Sequence, residues 1–188
     1  AIIHVGPASN DPTIRKALAI GADDAVRIDA DPSDAFGVAE EIAAYAKDKG
    51  YDLIMTGKET ISYNGGMVGG LLSEMVGLPY VSMATKFDLA DGKATIEHDI
   101  DGGTEVVECP LPMVVSCNKG MSEARIPNMR GIMAARSKPL EVVASASSAN
   151  ATSIASYKLA EGRKDCVFVD ASTPEKLVEL LHNEAKAI

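Results

Sequence analysis

The first 57 residues alternate between short apolar runs and segments of helical period, and this alternation restricts the fold more than any other feature of the chain. Ala1 to Val5 is apolar and stops at Gly6-Pro7, as a buried strand does. Asp11-Pro12 opens a segment with Ile14, Leu18 and Ile20 on or near one helical face, and Gly21 closes it, glycine being the residue that accepts positive φ just past a helix end. A second strand is expected over Ala25 to Ile28. From it, Asp31-Pro32-Ser33 leads into a longer helix with Phe36, Ala39, Ala43 and Ala46 facing inward, ended by Gly50. Asp52 to Met55 is the third strand. Strand, helix, strand, helix, strand with short links predicts an α/β domain: a mostly parallel twisted sheet with helices on both faces.

The third strand runs into TGKETISYNGGMVGG, residues 56 to 70, at the carboxyl end of a parallel strand, where open α/β sheets bind ligands. Gly65, Gly66, Gly69 and Gly70 permit a tight turn and close approach, and the helix expected over Met67 to Met75 presents amides suited to a phosphate. Lys58 adds positive charge, while Ser62, Tyr63 and Asn64 offer hydrogen bonds to phosphate, ribose or base. Neither G-x-x-x-x-G-K-[ST] nor G-x-G-x-x-G occurs. Pattern alone therefore leaves two readings open, a nucleotide site and a glycine-rich loop that closes a helix against a strand.

Charge and composition remove other classes. The 188 residues carry 27 acidic against 18 basic side chains, a net charge of −9, which opposes a phosphate backbone whose affinity comes from Lys and Arg. No nucleic-acid partner is expected. No uncharged apolar run reaches the ~18 residues of a membrane-spanning helix, and AIIHVGP has neither the length nor the basic flank of a signal peptide. A soluble intracellular protein without membrane insertion is expected. Cys109, Cys117 and Cys166 are odd in number and unpaired by spacing, and His4, His98 and His182 lie apart, so no disulfide framework, metal site or catalytic dyad is indicated.

Beyond Pro79 the texture changes. Tyr80 to Met83 is expected as a core strand, whereas Thr85 to Leu89, Lys93 to Ile100 and Thr104 to Cys109 are strand-like and separated by Asp91-Gly92 and Asp101-Gly102-Gly103, the turns of an antiparallel excursion. Met113 to Val115 returns to the sheet, with Ser116, Cys117 and Asn118 ending it. Residues 119 to 138 hold five basic side chains against Glu123, net +4, so the rest of the −9 chain carries −13. A basic segment on an acidic protein is a candidate docking surface, with a solvated helix face as its plainer reading. Residues 144 to 156, ASASSANATSIAS, have the composition of an extended arm, Cys166 to Val169 reads as a short strand, and Ser172-Thr173-Pro174-Glu175 has capping-box spacing for a helix to about Ala187.

Ile96 to Ser116, IEHDIDGGTEVVECPLPMVVS, resembles the signature segment of electron-transfer flavoprotein β subunits: an acidic-Gly-Gly turn, Glu105, Val107, Pro112 and an aliphatic pair before a small residue. His98 departs from the family's usual Lys or Arg. GPASNDPTIRKALAIGAD, GKETISYNGG and RIPNMRGIMAARSKPLEV are similar, in order, to the family's segment after its second strand, its nucleotide loop and its partner-recognition segment. The resemblance implies a Rossmann-like fold of adenine-nucleotide-binding type, spanning residues 1 to 143, with residues 144 to 188 as an arm and terminal helix on an α subunit. It also implies an N-terminally incomplete chain, short by about 60 residues on the usual domain size, because family members start with a further strand and an Asn-Pro loop.

By that resemblance the chain is an electron-carrier subunit rather than an enzyme. Its α partner carries most of a FAD, and AMP or a second FAD lies within β. Val5, Gly57, Lys58, Glu59, Thr60, Ile61, Ser62, Asn64, Gly65 and Gly66 are the implied cofactor-binding positions. The loop reads SYNGG where AMP-binding relatives are Asp-rich, so AMP against FAD stays open. Met129, flanked by Ile126 and Ile132, matches the anchor that docks on acyl-CoA-type or other flavin dehydrogenases, and a flexible thioether suits several pockets. The implied compartment is the bacterial cytoplasm or the mitochondrial matrix. A stand-alone adenine-nucleotide-binding module or enzyme of the same α/β architecture is the competing reading.

Overall fold

A computed structural model describes the chain except for residues 147–149 and 164, and residues 147–149 of the expected arm therefore lie outside the described structure. The described chain divides into two compact units, Ala1–Ile154 and Ala155–Ile188. In the first, β1 (Ile2–Val5), α1 (Asp11–Ala19), β2 (Ala25–Asp29), α2 (Ala35–Ala46) and β3 (Leu53–Gly57) follow the expected order. Gly21, just past α1, takes φ 137°, a value glycine accepts; α2 ends earlier than expected, at Ala46, and Gly50 (φ 67°) lies in the turn beyond it. Asp34 caps α2 by accepting the Gly37 amide at 2.8 Å. The helix α3 (Val68–Val76) ends at Gly77, φ 71°, in the left-handed conformation typical of a C-terminal glycine.

The strands make two sheets rather than one. β1, β2 and β8 (Leu140–Ala144) form an all-parallel sheet, with β2 in the middle. The other sheet runs β3, β7 (Met113–Cys117), β4 (Tyr80–Ala90), β5 (Lys93–Ile100) and β6 (Gly103–Pro110). Within it β3, β7 and β4 are parallel, while β4, β5 and β6 form the antiparallel excursion. The sheets are separate because no described strand pairs with the free edges of β1 and β3. Between those edges lies a cleft of about 180 Å³ lined by Ile2, Ile3, Leu53, Ile54 and Met55.

Three apolar clusters hold this unit. Val81, Ala84, Ala94, Ile96, Met113 and Val115 pack inside the larger sheet. Ile14, Leu18, Ala25 and Ala135 join α1 to the smaller sheet and to α4 (Met129–Ala135), and Ala39, Ala43 and Leu72 join α2 to α3. Deleting a side chain of this kind costs about 2–5 kcal/mol for Leu or Ile to Ala.

Three local expectations are corrected. Tyr80 to Met83 and Thr85 to Leu89 are one strand, interrupted by a register shift between Val81 and Ala84 in which Met83 takes φ 55°. The Ser116 hydroxyl accepts the Met83 amide at 2.9 Å, which satisfies a donor that the bulge removes from the ladder. Cys166 to Val169 is not a strand: Val167 and Phe168 are exposed and nothing pairs with them among the described residues. The capping box does not close either. Ser172 bonds Asp170 instead, Thr173 at the N-cap makes no side-chain cap bond, and α5 spans Pro174–Asn183, short of Ala187. Within this second unit Leu177 and Val178 of α5 are exposed. Asn150 and Thr152, by contrast, bond Ser33 and Asp34 within the first unit.

Candidate functional site

The stretch after β3 is a closed loop. Thr60 donates its amide to the Gly65 carbonyl at 3.0 Å, Asn64 donates to the Thr60 carbonyl at 3.0 Å, and the Thr60 hydroxyl accepts the Gly65 amide at 3.1 Å. Asn64 sits at φ 55°, a left-handed value that asparagine tolerates. These bonds close the turn from Thr60 to Gly65; Gly57 ends β3, and Lys58, Glu59 and Gly66 flank the turn before α3. Val5 is placed apart from them, at the carboxyl end of β1 in the other sheet.

Two glycines permit close approach. A Cβ on Gly66 would lie 2.9 Å from the Lys58 carbonyl oxygen, and one on Gly69 would lie 2.8 Å from Thr56 Oγ1 and 2.9 Å from the Tyr80 ring. The start of α3 is thereby held against the strand ends. Its N-terminus is bare: Met67 at the N-cap supplies no side-chain bond, and no acidic residue sits in the first turn. Every other described α-helix has one or the other, Asp11 in α1, Asp34 in α2, Asn128 in α4 and Glu175 in α5. The first-turn amides and the positive end of the helix dipole therefore lack a capping or acidic side chain of their own.

The side chains contribute less charge than the sequence implied. Lys58 Nζ pairs with Glu59 at 3.1 Å, both groups being well exposed, so the loop offers an anion backbone dipoles more than net charge. Ile61 is fully exposed and Tyr63 largely so. Thr56 Oγ1 is buried beside Gly69 without a hydrogen-bond partner, a polar atom beside the start of α3 for which no sequence pattern carries a signal. Ser116 and Asn118 serve the strand ends, Asn118 donating its amide to Ala84 at 2.8 Å and its side chain to Asp99 at 3.0 Å. Burial pushes the Cys117 and Cys109 thiols up, which disfavours the reactive thiolate.

A buried charged cluster at the ends of β1 and β2 also escaped sequence reasoning. Arg27 is 4% exposed and bridges Asp11 at 2.8 Å, Asp29 at 2.5 Å and the Gly6 carbonyl at 2.9 Å. These carboxylates hold its charge inside the fold, the Asp29 hydrogen bond foremost. Asn10 lies 2.9 Å from His4 Nε2, and burial, then the Arg27 charge, lowers the His4 pKa. Asp29 shares β2 with Arg27, but Asp11 lies on α1 and Gly6 in the turn after β1, and strand alternation carries no signal for those two. Among the described residues no group of three or more His, Cys, Asp or Glu is placed to hold a metal.

The basic segment is fixed in a different way. Asn128 caps α4 by accepting the Gly131 amide at 2.8 Å, and the exposed side chains of Ile126, Met129, Ile132 and Met133 crowd this short helix and its approach. Arg15 of α1 donates to the carbonyls of Ala135 and Lys138 at 2.8 and 2.6 Å, closing the end of α4. Lys138 in turn donates to the Leu18 carbonyl at 2.9 Å and to that of Ala22, closing the end of α1. Each helix end is neutralised by a cation from the other side, and such charged hydrogen bonds contribute about 1.5–3 kcal/mol each.

The sequence pattern of the electron transfer flavoprotein domain family matches residues 1–148. The chain is 33% identical over 190 residues to the electron transfer flavoprotein subunit beta of Syntrophomonas wolfei, covering 98% of this chain and 75% of that one. It is 34% identical to the Bacillus subtilis subunit beta and 32% identical to the human one, over 74% and 75% of this chain. The chain belongs to the electron-transfer flavoprotein β-subunit family. It spans 56% and 57% of the length of those last two family members. Membership favours the electron-carrier reading over the stand-alone module. The electron-transfer flavoprotein signature segment, Ile96 to Ser116, forms the second half of β5, all of β6 and most of β7. No helix among the described residues is long and apolar enough to cross a membrane.

Proposed function

We propose that this chain is the nucleotide-holding and partner-docking subunit of a heterodimeric electron carrier. FAD, held mainly by an α subunit, supplies the redox chemistry when bound, taking electrons from an acyl-CoA-type or other flavin dehydrogenase and passing them on. The β chain's own residues hold and orient. The observation that carries the reading is the uncapped, acid-free start of α3 behind a glycine loop, with Thr56 Oγ1 unpartnered beside it. Loop amides and the α3 dipole bind a phosphate of AMP or of a second FAD without reorganising. Thr60, Ser62 and Asn64 reach ribose or base, and Val5 contributes main chain from β1.

Met129, with Ile126 and Ile132, anchors the dehydrogenase, and the arm with α5 docks its exposed Leu177 and Val178 on the α subunit. The compartment is the bacterial cytoplasm or the mitochondrial matrix. Denaturing the purified heterodimer and quantifying released nucleotides tests the proposal. One FAD with one AMP, or two FAD, is expected; a single FAD with no second nucleotide overturns it.

A further inference from the structure

A pronounced apolar hollow of the described surface lies on neither the nucleotide loop nor the arm. It is a cleft of about 570 Å³ between α1 and α4, walled by Pro12, Pro127, Ile132 and Ala135 and rimmed by Lys16 and Arg136. No acidic side chain lines it. Arg15 also borders it, but its guanidinium is committed to the Ala135 and Lys138 carbonyls, so Lys16 and Arg136, both exposed, are its outward-facing charges. Ile132 lines the cleft and belongs to the docking trio, which makes hollow and anchor one continuous surface.

A chain of net charge −9 repels acidic surfaces at long range. Here the sign reverses locally. An apolar floor beneath two cations is complementary to one kind of occupant: an apolar side chain flanked by carboxylates. A basic or purely apolar segment would leave the two ammonium and guanidinium groups facing its surface without partners.

Resting on the proposed docking role, we propose that this cleft is the receiving half of the partner interface. It takes an apolar side chain from an acidic amphipathic segment of the electron-donating dehydrogenase, while Met129 enters a pocket on that dehydrogenase. Docking is then reciprocal, one side chain inserted in each direction. Lys16 and Arg136 accelerate and orient the encounter, and the apolar floor slows its dissociation.

The test uses the purified α–β heterodimer, reduced anaerobically by a medium-chain acyl-CoA dehydrogenase with its acyl-CoA, from about 20 to about 300 mM NaCl. The Lys16→Glu/Arg136→Glu pair is expected to raise KM for the dehydrogenase about tenfold or more at low salt, with kcat little changed and the salt dependence flattened or inverted. Lys93→Glu, on the antiparallel excursion, controls for net charge. Thermal melting and flavin content check folding, with Lys16→Gln/Arg136→Gln as the gentler pair.

An unchanged KM in both pairs, or an equal rise in Lys93→Glu, overturns the cleft. If Met129→Ala alone slows reduction, docking stands and only the cleft falls. If the wild type accepts no electrons from this dehydrogenase, the proposed function fails in that respect. The cleft is then decided by titrating a fluorescein-labelled amphipathic Leu/Glu peptide and its Leu/Lys counterpart. Binding of the acidic peptide alone, weakened by the Glu pair, supports the cleft; no binding, or equal binding of both, overturns it.

Discussion

Gly131→Ala probes the contact that fixes the docking helix. A Cβ at this position would lie 2.4 Å from the Ala19 carbonyl oxygen and 3.4 Å from its carbon. Carbon–oxygen contacts close to no less than about 3.3 Å, so α4 must retreat from the end of α1 by roughly 1 Å. The obstacle is backbone, which has no rotamer to change. Overpacking of this kind costs about 1–3 kcal/mol, offset by about 0.5–1 kcal/mol from the better helix propensity of alanine. A net loss of about 1–2 kcal/mol lowers Tm by about 2–4 °C per kcal/mol in a domain of this size. The retreat also stretches the Arg15 bonds to Ala135 and Lys138, so amide exchange should quicken in residues 129–138. Gly103→Ala is the control, since nothing lies within 4 Å of its added Cβ and its φ is ordinary. Scanning calorimetry and hydrogen exchange on the heterodimer read both effects. A Gly131→Ala melt equal to or above wild type, with unchanged exchange, refutes the close-approach argument.

Other substitutions separate the remaining parts. Gly66→Ala brings a Cβ within 2.9 Å of the Lys58 carbonyl, so the loop must shift and the heterodimer should lose its β-site nucleotide and, with it, the ligand's contribution to Tm, as released-nucleotide assay and melting would show. Met129→Ala should lower the rate of reduction by a dehydrogenase several-fold and leave flavin content unchanged, measured by stopped flow; lost flavin would mean the docking loop is misplaced. Ser116→Ala strips the Met83 amide of its acceptor inside the bulge; the bond is only part-buried, so the loss should fall near the net worth of one hydrogen bond, about 0.5–1.5 kcal/mol, visible in denaturant unfolding. The Asp34 carboxyl is lowered below its ordinary value by the Gly37 amide first, then opposed by desolvation and aided by Thr152. Its folded pKa being the lower, its stabilisation of α2 is complete above the unfolded value near 3.8 and is lost as pH falls through the folded one. Asp34→Asn should therefore flatten the acid limb of the stability profile below about pH 4, followed by circular dichroism.

The elements most legible in the sequence are those whose signals are local. β1, α1, β2, α2 and β3 are each an apolar run or stripe punctuated by Gly or an Asp cap, and they fold in the expected order and within a residue or two of expectation, except that α2 stops at Ala46, short of Gly50. β8 was not legible. Leu140 to Ala144 follows Pro139 and runs into small polar residues, and only its pairing with β2 makes it a strand. Cys166 to Val169 shows the converse, an apolar run with no strand partner among the described residues. At the candidate site, the glycines announced a close approach, which Gly66 and Gly69 show. That Lys58 spends its charge on Glu59 and that Thr56 Oγ1 is orphaned depend on side-chain direction. The cross-capping of α1 and α4 by Arg15 and Lys138 joins residues more than a hundred positions apart, and no local pattern encodes such pairs.

The account turns on what the first turn of α3 holds. The most direct measurement is a crystal structure of the intact heterodimer at a resolution that shows bound nucleotide. A phosphate within hydrogen-bond distance of the amides around Gly66 to Gly69, with Thr56 at its border, is the predicted result. A loop region packed with the protein's own side chains, or a second nucleotide bound elsewhere, would contradict it.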